Sequence, residues 1–169
     1  PFYGEMGGQL GDRGEILGPH GRFIVEDAYH IGHELIIHRG RMAEGYIPAE
    51  EIVVAKVDEE RRRDIARNHT ATHLLQAALR QVLGEHIRQS GSLVSPDYFR
   101  FDFTHQKALT KDEIINVQHI VNDNIRRNFR VTATVMHYKE AIDIGALAFF
   151  DEKYADEVRV MEVGKPSIS

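Results

Sequence analysis

The sequence predicts an α+β protein, with a small, glycine-rich, β-barrel-like subdomain over residues 1–57 and an α+β subdomain over residues 58–169. Three observations predict it. Short β-branched and aromatic runs follow a glycine-dense start, a single long helical stretch carries His69-x-x-x-His73, and beyond it the patterns run strand, helix, strand, strand.

Composition sets the outer limits. A chain of 169 residues, 42% hydrophobic and 28% charged, has enough apolar material for one core or for two small ones sharing an interface. The formal net charge of -5 argues against indiscriminate polyanion binding. Local clusters at Arg61-Arg62-Arg63 and Arg126-Arg127 still offer points of contact for phosphate. With no cysteine there is no disulfide, and neither a signal-peptide pattern nor an apolar run of bilayer length is found. A soluble chain in a reducing compartment, the cytoplasm, is the expectation, with no membrane partner. Pro1 at the start and Lys165-Pro166-Ser167-Ile168-Ser169 at the end lead to the expectation of a piece of a longer protein.

Glycines at 4, 7, 8, 11, 14, 18 and 21 break any helix and force turns. Gly7-Gly8-Gln9 reads as a tight structural hairpin or as a loop whose backbone amides approach a ligand. It is neither a Walker loop nor a dinucleotide fingerprint, because no Gly-Lys-Ser/Thr follows and the G-x-G-x-x-G order is missing. Short strands are predicted at Arg22–Tyr29, Glu34–Arg39 and Ile52–Val57, with turns at 31–33, at Gly40 and at 45–48, giving a small antiparallel barrel or sandwich. His20, His30, His33 and His38 share no ligand spacing and read as surface or strand-edge residues.

Asp58 is a good N-cap, Glu59 and Glu60 complement the helix dipole, and Gly84 supplies a stop, so a helix is predicted over 59–83. At roughly 100° per residue, Ala71, Leu74, Leu75, Ala78, Leu79 and Val82 form one apolar stripe, and His69 and His73 fall nearly opposite. The two histidines are separated by about 40° around the axis and about 6 Å along it, so both rings can reach one metal ion. Two ligands make half of a zinc site. Solvent-facing surface histidines are the other reading, and a zincin protease is disfavoured because Thr70 stands where its general-base glutamate is required.

Farther on, Phe99, Phe101 and Phe103 alternate with Arg100 and Asp102, which predicts a strand with one aromatic face; the charged pair reads as a structural ion pair or as flanking a site. Thr110 and Glu113 form a capping-box pattern for a helix to about Asn128, with Ile114, Ile115, Val117, Val121 and Ile125 as its apolar contacts and His119 on its surface. Residues 129–137 read as a β-branched strand, 139–142 as a helical turn, and 158–163 as a last strand. No repeat or low-complexity tract is present.

Taken together, four stretches resemble the editing domain of alanyl-tRNA synthetase, in that family's order. They are Pro1-Phe2-Tyr3-Gly4-Glu5-Met6-Gly7-Gly8-Gln9-Leu10-Gly11-Asp12, then Asn68-His69-Thr70-Ala71-Thr72-His73, then Gly91-Ser92-Leu93-Val94 with Arg100-Phe101-Asp102-Phe103, and Gly145-Ala146 with Lys153-Tyr154 and Val158-Arg159-Val160. The resemblance covers essentially the whole chain. Free-standing AlaX trans-editing proteins and the threonyl-tRNA synthetase editing domain are similar, but the Phe-Tyr and Gly-Gly-Gln-x-Gly-Asp run favours the alanyl enzyme.

The resemblance implies hydrolysis of the ester in tRNA(Ala) mischarged with serine or glycine. It implies zinc, bound by His69 and His73 and by a later Cys-x-x-x-His motif that the chain does not reach, so 58–169 is expected to be an editing subdomain truncated at its C-terminus with half a metal site. ATP and magnesium belong only to the aminoacylation domain of the parent. Gln9 matches the family's pocket glutamine, expected to hold substrate or water, while Met6 departs from the small polar residue common there. A zinc ion would activate water and polarise the ester carbonyl, or would anchor the amino acid while a separate water attacks. Accepting serine and excluding alanine calls for a polar group to meet the extra hydroxyl; Gln9 is the first candidate, then Ser92, then Thr70 and Thr72, with Gly7 and Gly8 lining the pocket. A noncatalytic folded or tRNA-binding module and a stand-alone AlaX-type protein are the alternatives.

Overall fold

Strand β1 (Gly14–Leu17) sits between two antiparallel partners, and its four residues anchor the first sheet. The computed structural model describes residues 1–32, 35–146 and 156–164. With β2 (Gly21–Ile31), β3 (Leu35–Gly45) and β4 (Val54–Val57), β1 forms a four-stranded sheet of order β3-β2-β1-β4. Neither edge strand, β3 or β4, pairs with the other, so the expected barrel is an open sheet instead. Strand β1 escapes the sequence pattern because it is short and lies inside the glycine-dense block.

Alternation along β2 turns Phe23 and Val25 toward the core. A register shift between Val25 and Asp27 inserts an extra residue, which returns Ala28 to the same side. Val25 and Ala28 are buried with Phe2, and Ile16, Phe23, Ala55 and Val57 pack around them. Gly40, expected in a turn, lies within β3 opposite this irregularity, paired with Val25. A Cβ there would come 1.8 Å from the carbonyl oxygen of Ile24, so the glycine serves close backbone approach rather than chain reversal.

Helix α1 (Glu59–Leu83) begins and ends where its caps predict: the Asp58 carboxylate accepts the Arg61 amide at 3.0 Å, and the Gly84 amide donates to Arg80 O at 2.9 Å. Its buried residues are Ile65, Thr72, Gln76, Ala78 and Leu79. That face is turned by roughly 90° from the apolar stripe, toward the histidines. His69 and His73 thus flank the buried face instead of standing opposite it, because α1 packs against β5 (Gln89–Val94) and β6 (Phe99–Phe103) through a partly polar seam. Those two strands pair antiparallel, Phe101 and Phe103 share a face with ring centres 6.2 Å apart, and Arg100 Nε meets Asp102 Oδ2 at 3.1 Å, the structural ion pair.

The N-terminal segment is tied to the start of α1. Asp12, 3% exposed, accepts the Tyr3 amide at 2.7 Å and Arg62 Nε at 3.0 Å, and Arg62 Nη2 reaches both that carboxylate and Pro1 O. Arg61 Nη1 donates to Gly11 O at 2.8 Å. A buried carboxylate without a cation would cost several kcal/mol, on the order of 3–5, so Arg62 has a structural duty that its place in an Arg-Arg-Arg run conceals.

The chain divides into two compact units, Pro1–Glu113 and Ile114–Ser169; the boundary expected at 57/58 falls inside the first. Toward the end of the first unit, the Thr110 amide and hydroxyl donate to Glu113 Oε2 at 2.7 and 2.9 Å, and the Glu113 amide donates back to the threonine oxygen at 3.2 Å, the capping box that opens α2 (Lys111–Arg127). In the second unit β7 (Val131–His137) pairs antiparallel with β8 (Glu157–Val163), with α3 (Tyr138–Asp143) between them in sequence. Of the apolar contacts expected on α2, Val117 is buried, whereas Ile114, Ile115 and Ile125 are about half exposed. His33, the Lys153-Tyr154 pair and the 165–169 tail lie outside the described residues.

Candidate functional site

Residues Met6-Gly7-Gly8-Gln9 form a two-residue hairpin turn. Met6 and Gln9 exchange backbone hydrogen bonds at 3.2 and 3.0 Å, and Gly7 and Gly8 both take positive φ, 59° and 82°. Two successive left-handed residues are what such a primed turn demands, and glycine supplies them without strain. The turn is also clamped: the Val94 amide donates to Gly8 O at 2.8 Å and the Leu10 amide to Val94 O at 3.1 Å. At Gly8 a Cβ would lie 2.3 Å from Ser92 O, so the turn packs backbone to backbone on β5. The hairpin reading is the one the backbone shows, a clamped turn that presents the Gln9 side chain.

That side chain meets α1. Gln9 Oε1 lies 2.6 Å from His69 Nδ1, joining motifs sixty residues apart. The His69 and His73 ring centres are 5.1 Å apart with 22° between their planes, so the rings run side by side along the helix. Burial pushes the pKa of His69 down from its ordinary 6.5. His73 is lowered too, first by burial and then by the charge of His69. Both rings are thus held toward the neutral form, the one with a lone pair for a metal ion.

As a donor set, two neutral imidazoles fit two of the four positions around a tetrahedral zinc ion. Among the described residues no group of three or more His, Cys, Asp or Glu side chains is placed to hold a metal. The threonines are occupied with the helix itself: Thr70 Oγ1 donates to Ala66 O at 3.0 Å, and Thr72 Oγ1, buried, to His69 O at 2.7 Å. Each keeps oxygen lone pairs for accepting. Ser92, half-buried in β5, stands behind Gly8.

Asn68 holds the helix beside the candidate site, a role that its place in the Asn68–His73 stretch does not disclose. Its Nδ2 donates to Ser95 O and Pro96 O, both at 2.9 Å, and so ties the turn after β5 to the helix one residue before His69. An asparagine inside a helix, where its propensity is poor, is the signal that marks it. A second histidine pair also emerges: His86 Nε2 and His105 Nδ1 are 3.0 Å apart. Of the four other β-subdomain histidines, His20 stacks on Tyr46, His30 lies against Gly4 and His38 meets Phe2 edge-on.

Residues 1–61 match the model of the class II (A) tRNA synthetases, which covers about a third of the chain. The particular relatives follow from the full length. All 169 residues align at 54% identity with the alanine–tRNA ligase of Dehalococcoides mccartyi, covering 19% of that protein. The alanine–tRNA ligase of Fervidobacterium nodosum is 50% identical over 96% of the chain, and that of Methylococcus capsulatus 48% over 97%, with 19% of each relative covered. From Pro1 to Ser169 the chain is similar to a segment of alanine–tRNA ligases, which are aminoacyl-tRNA synthetases, and it spans about a fifth of their length.

Proposed function

We propose that this chain is the editing segment of a cytoplasmic alanine–tRNA ligase and clears serine or glycine from mischarged tRNA(Ala) by metal-assisted ester hydrolysis. The observation that carries the reading is the contact between Gln9 and His69, which brings the Gly-Gly-Gln turn onto the face of α1 that bears His69 and His73. His69 and His73 would hold zinc together with donors outside the described residues; when bound, zinc supplies Lewis-acid polarisation of the ester or of a water.

The chain's own residues do the rest. Neutral His69 and His73 offer lone pairs, and the turn fixes where His69 stands. Ser92, Thr70 and Thr72 are the candidate groups for meeting the serine hydroxyl, a group that a pocket shaped by packing alone distinguishes poorly from its absence. Gly7 lets backbone approach the aminoacyl end closely, while Gly8 gives the turn its close packing on β5. The 3' end of tRNA(Ala) is the macromolecular substrate. ATP and magnesium serve aminoacylation elsewhere in the parent enzyme.

The test is deacylation of Ser-tRNA(Ala) by the full-length protein, with Ala-tRNA(Ala) as the control. His73→Ala is expected to lower serine release by at least about a hundredfold, the range for loss of one essential polar group at a reacting centre, with alanylation unchanged. Undiminished serine release in that variant would sink the assignment.

A further inference from the structure

We infer that Gln9 is a positioning residue: its amide oxygen accepts the Nδ1 proton of His69 and thereby leaves His69 Nε2 as the nitrogen that serves the site. The metal half of this statement rests on the editing reading above; the tautomer half rests on the amide oxygen, rather than the amide nitrogen, facing the ring.

An amide oxygen is an acceptor only, so at 2.6 Å its partner nitrogen must carry the proton. A neutral imidazole has one proton. Placing it on Nδ1 empties Nε2, and the choice of ligand nitrogen is set by the bond the other nitrogen makes. The substrate role first expected of Gln9 changes accordingly, because its oxygen is already engaged with the histidine. Everything behind Gln9 serves to hold that oxygen in place. Its backbone amide and carbonyl are both spent on Met6, its turn needs the two positive φ values of Gly7 and Gly8, and that turn is pinned to Val94 and backed by Ser92. On the other side Asn68 anchors α1 to the turn after β5, so both partners of the bond are fastened to the same strand and its exit. The Gly-Gly-Gln sequence thus reads as two residues of backbone geometry and one acceptor aimed at a histidine.

The experiment uses the metal-free full-length protein, which carries the remaining donors, with ¹⁵N-labelled histidine at about pH 8, where the ring is neutral. The His69 signals are assigned by loss in His69→Gln. In the unaltered protein Nδ1 is expected to show the protonated, pyrrole-like ¹⁵N shift and Nε2 the pyridine-like one. Gln9→Ala should move His69 toward the mixture of tautomers of a free imidazole, and Gln9→Glu, which keeps an acceptor oxygen, should restore the Nδ1–H form. Titration with Co²⁺ should then show affinity reduced about 10–100-fold in Gln9→Ala, the usual cost of losing a group that orients a ligand histidine, and recovered in Gln9→Glu. A pyridine-like Nδ1 in the unaltered protein, or an unchanged tautomer in a folded Gln9→Ala, overturns the inference. No Co²⁺ binding by the unaltered protein, with His69 still Nδ1-protonated, overturns the metal reading and leaves the positioning role of Gln9 in place.

Discussion

Two histidine pairs in the first compact unit have nearly the same ring separation and tilt, 5.1 Å and 22° for His69 with His73 against 5.3 Å and 23° for His86 with His105. Their chemistry is opposite. In the second pair the ring centres are farther apart than the 3.0 Å between nitrogens by about two centre-to-nitrogen distances, so the nitrogens lie on the line joining the centres. Those rings meet edge to edge in a shared N–H···N bond, with their lone pair and proton turned on each other. The first pair stands on successive turns of one helix, and His69 spends its Nδ1 on Gln9 instead. Equal spacing of rings therefore does not make equal sites; what the outer nitrogens touch decides it.

The sharpest way to break this comparison is at the turn. Gly8→Ala forces a side chain into φ 82° and toward the Ser92 carbonyl, and is expected to cost about 3 kcal/mol in chemical denaturation. It should disturb the His69 ring resonances and leave those of His86 and His105 where they were.

A pH series separates the pairs more gently. His69 and His73 have folded pKa values below the 6.5 of the unfolded chain, so on acidification the unfolded chain takes up protons first. Their contribution to stability is whole above pH 6.5, is lost as pH falls from there to the lowered folded values, and changes no further below them. Urea midpoints of the metal-free protein should follow that course, and the double change His69→Gln with His73→Gln should flatten it.

The smallest effect belongs to the second pair. His105→Ala is expected to cost about 1 kcal/mol, the net worth of one hydrogen bond, with Co²⁺ binding unaltered. His105 Nε2 is sealed from solvent without a partner, so His105→Phe, which fills the space and removes that nitrogen, should cost less than the alanine change. A thermal melt of the two variants compares them directly.

Local signals in the sequence carried as far as local physics reaches. Asp58 with Gly84, and Thr110 with Glu113, mark helix starts and a stop because capping involves neighbours within four residues. Strand β1 leaves no clear pattern because glycines on either side suggest turns, and Gly40 reads as a turn because its reason, the Ile24 carbonyl, lies on another strand. The burial of Thr72 and Gln76 in place of Leu74 and Ala71 depends on which surface β5 and β6 offer to the helix, and no periodicity within α1 contains that. Spacing within α1 puts His69 and His73 on one side of the helix, and the family resemblance is what singles them out. The engagement of Gln9 with one of them spans sixty residues and needs the fold.

The clamped Gly-Gly turn also bears on the order of assembly. Its partners are Val94 and Ser92 on β5, while Glu5 just before it hangs from Ala28 on β2. As the chain is made from its N-terminus, β2 is ready early, but the turn has nothing to close against until Val94 has emerged. Contacts of such long sequence separation form slowly because a large loop must be closed before they repay its entropy. The residues that set the histidine are thus made well before the strand that holds them in place.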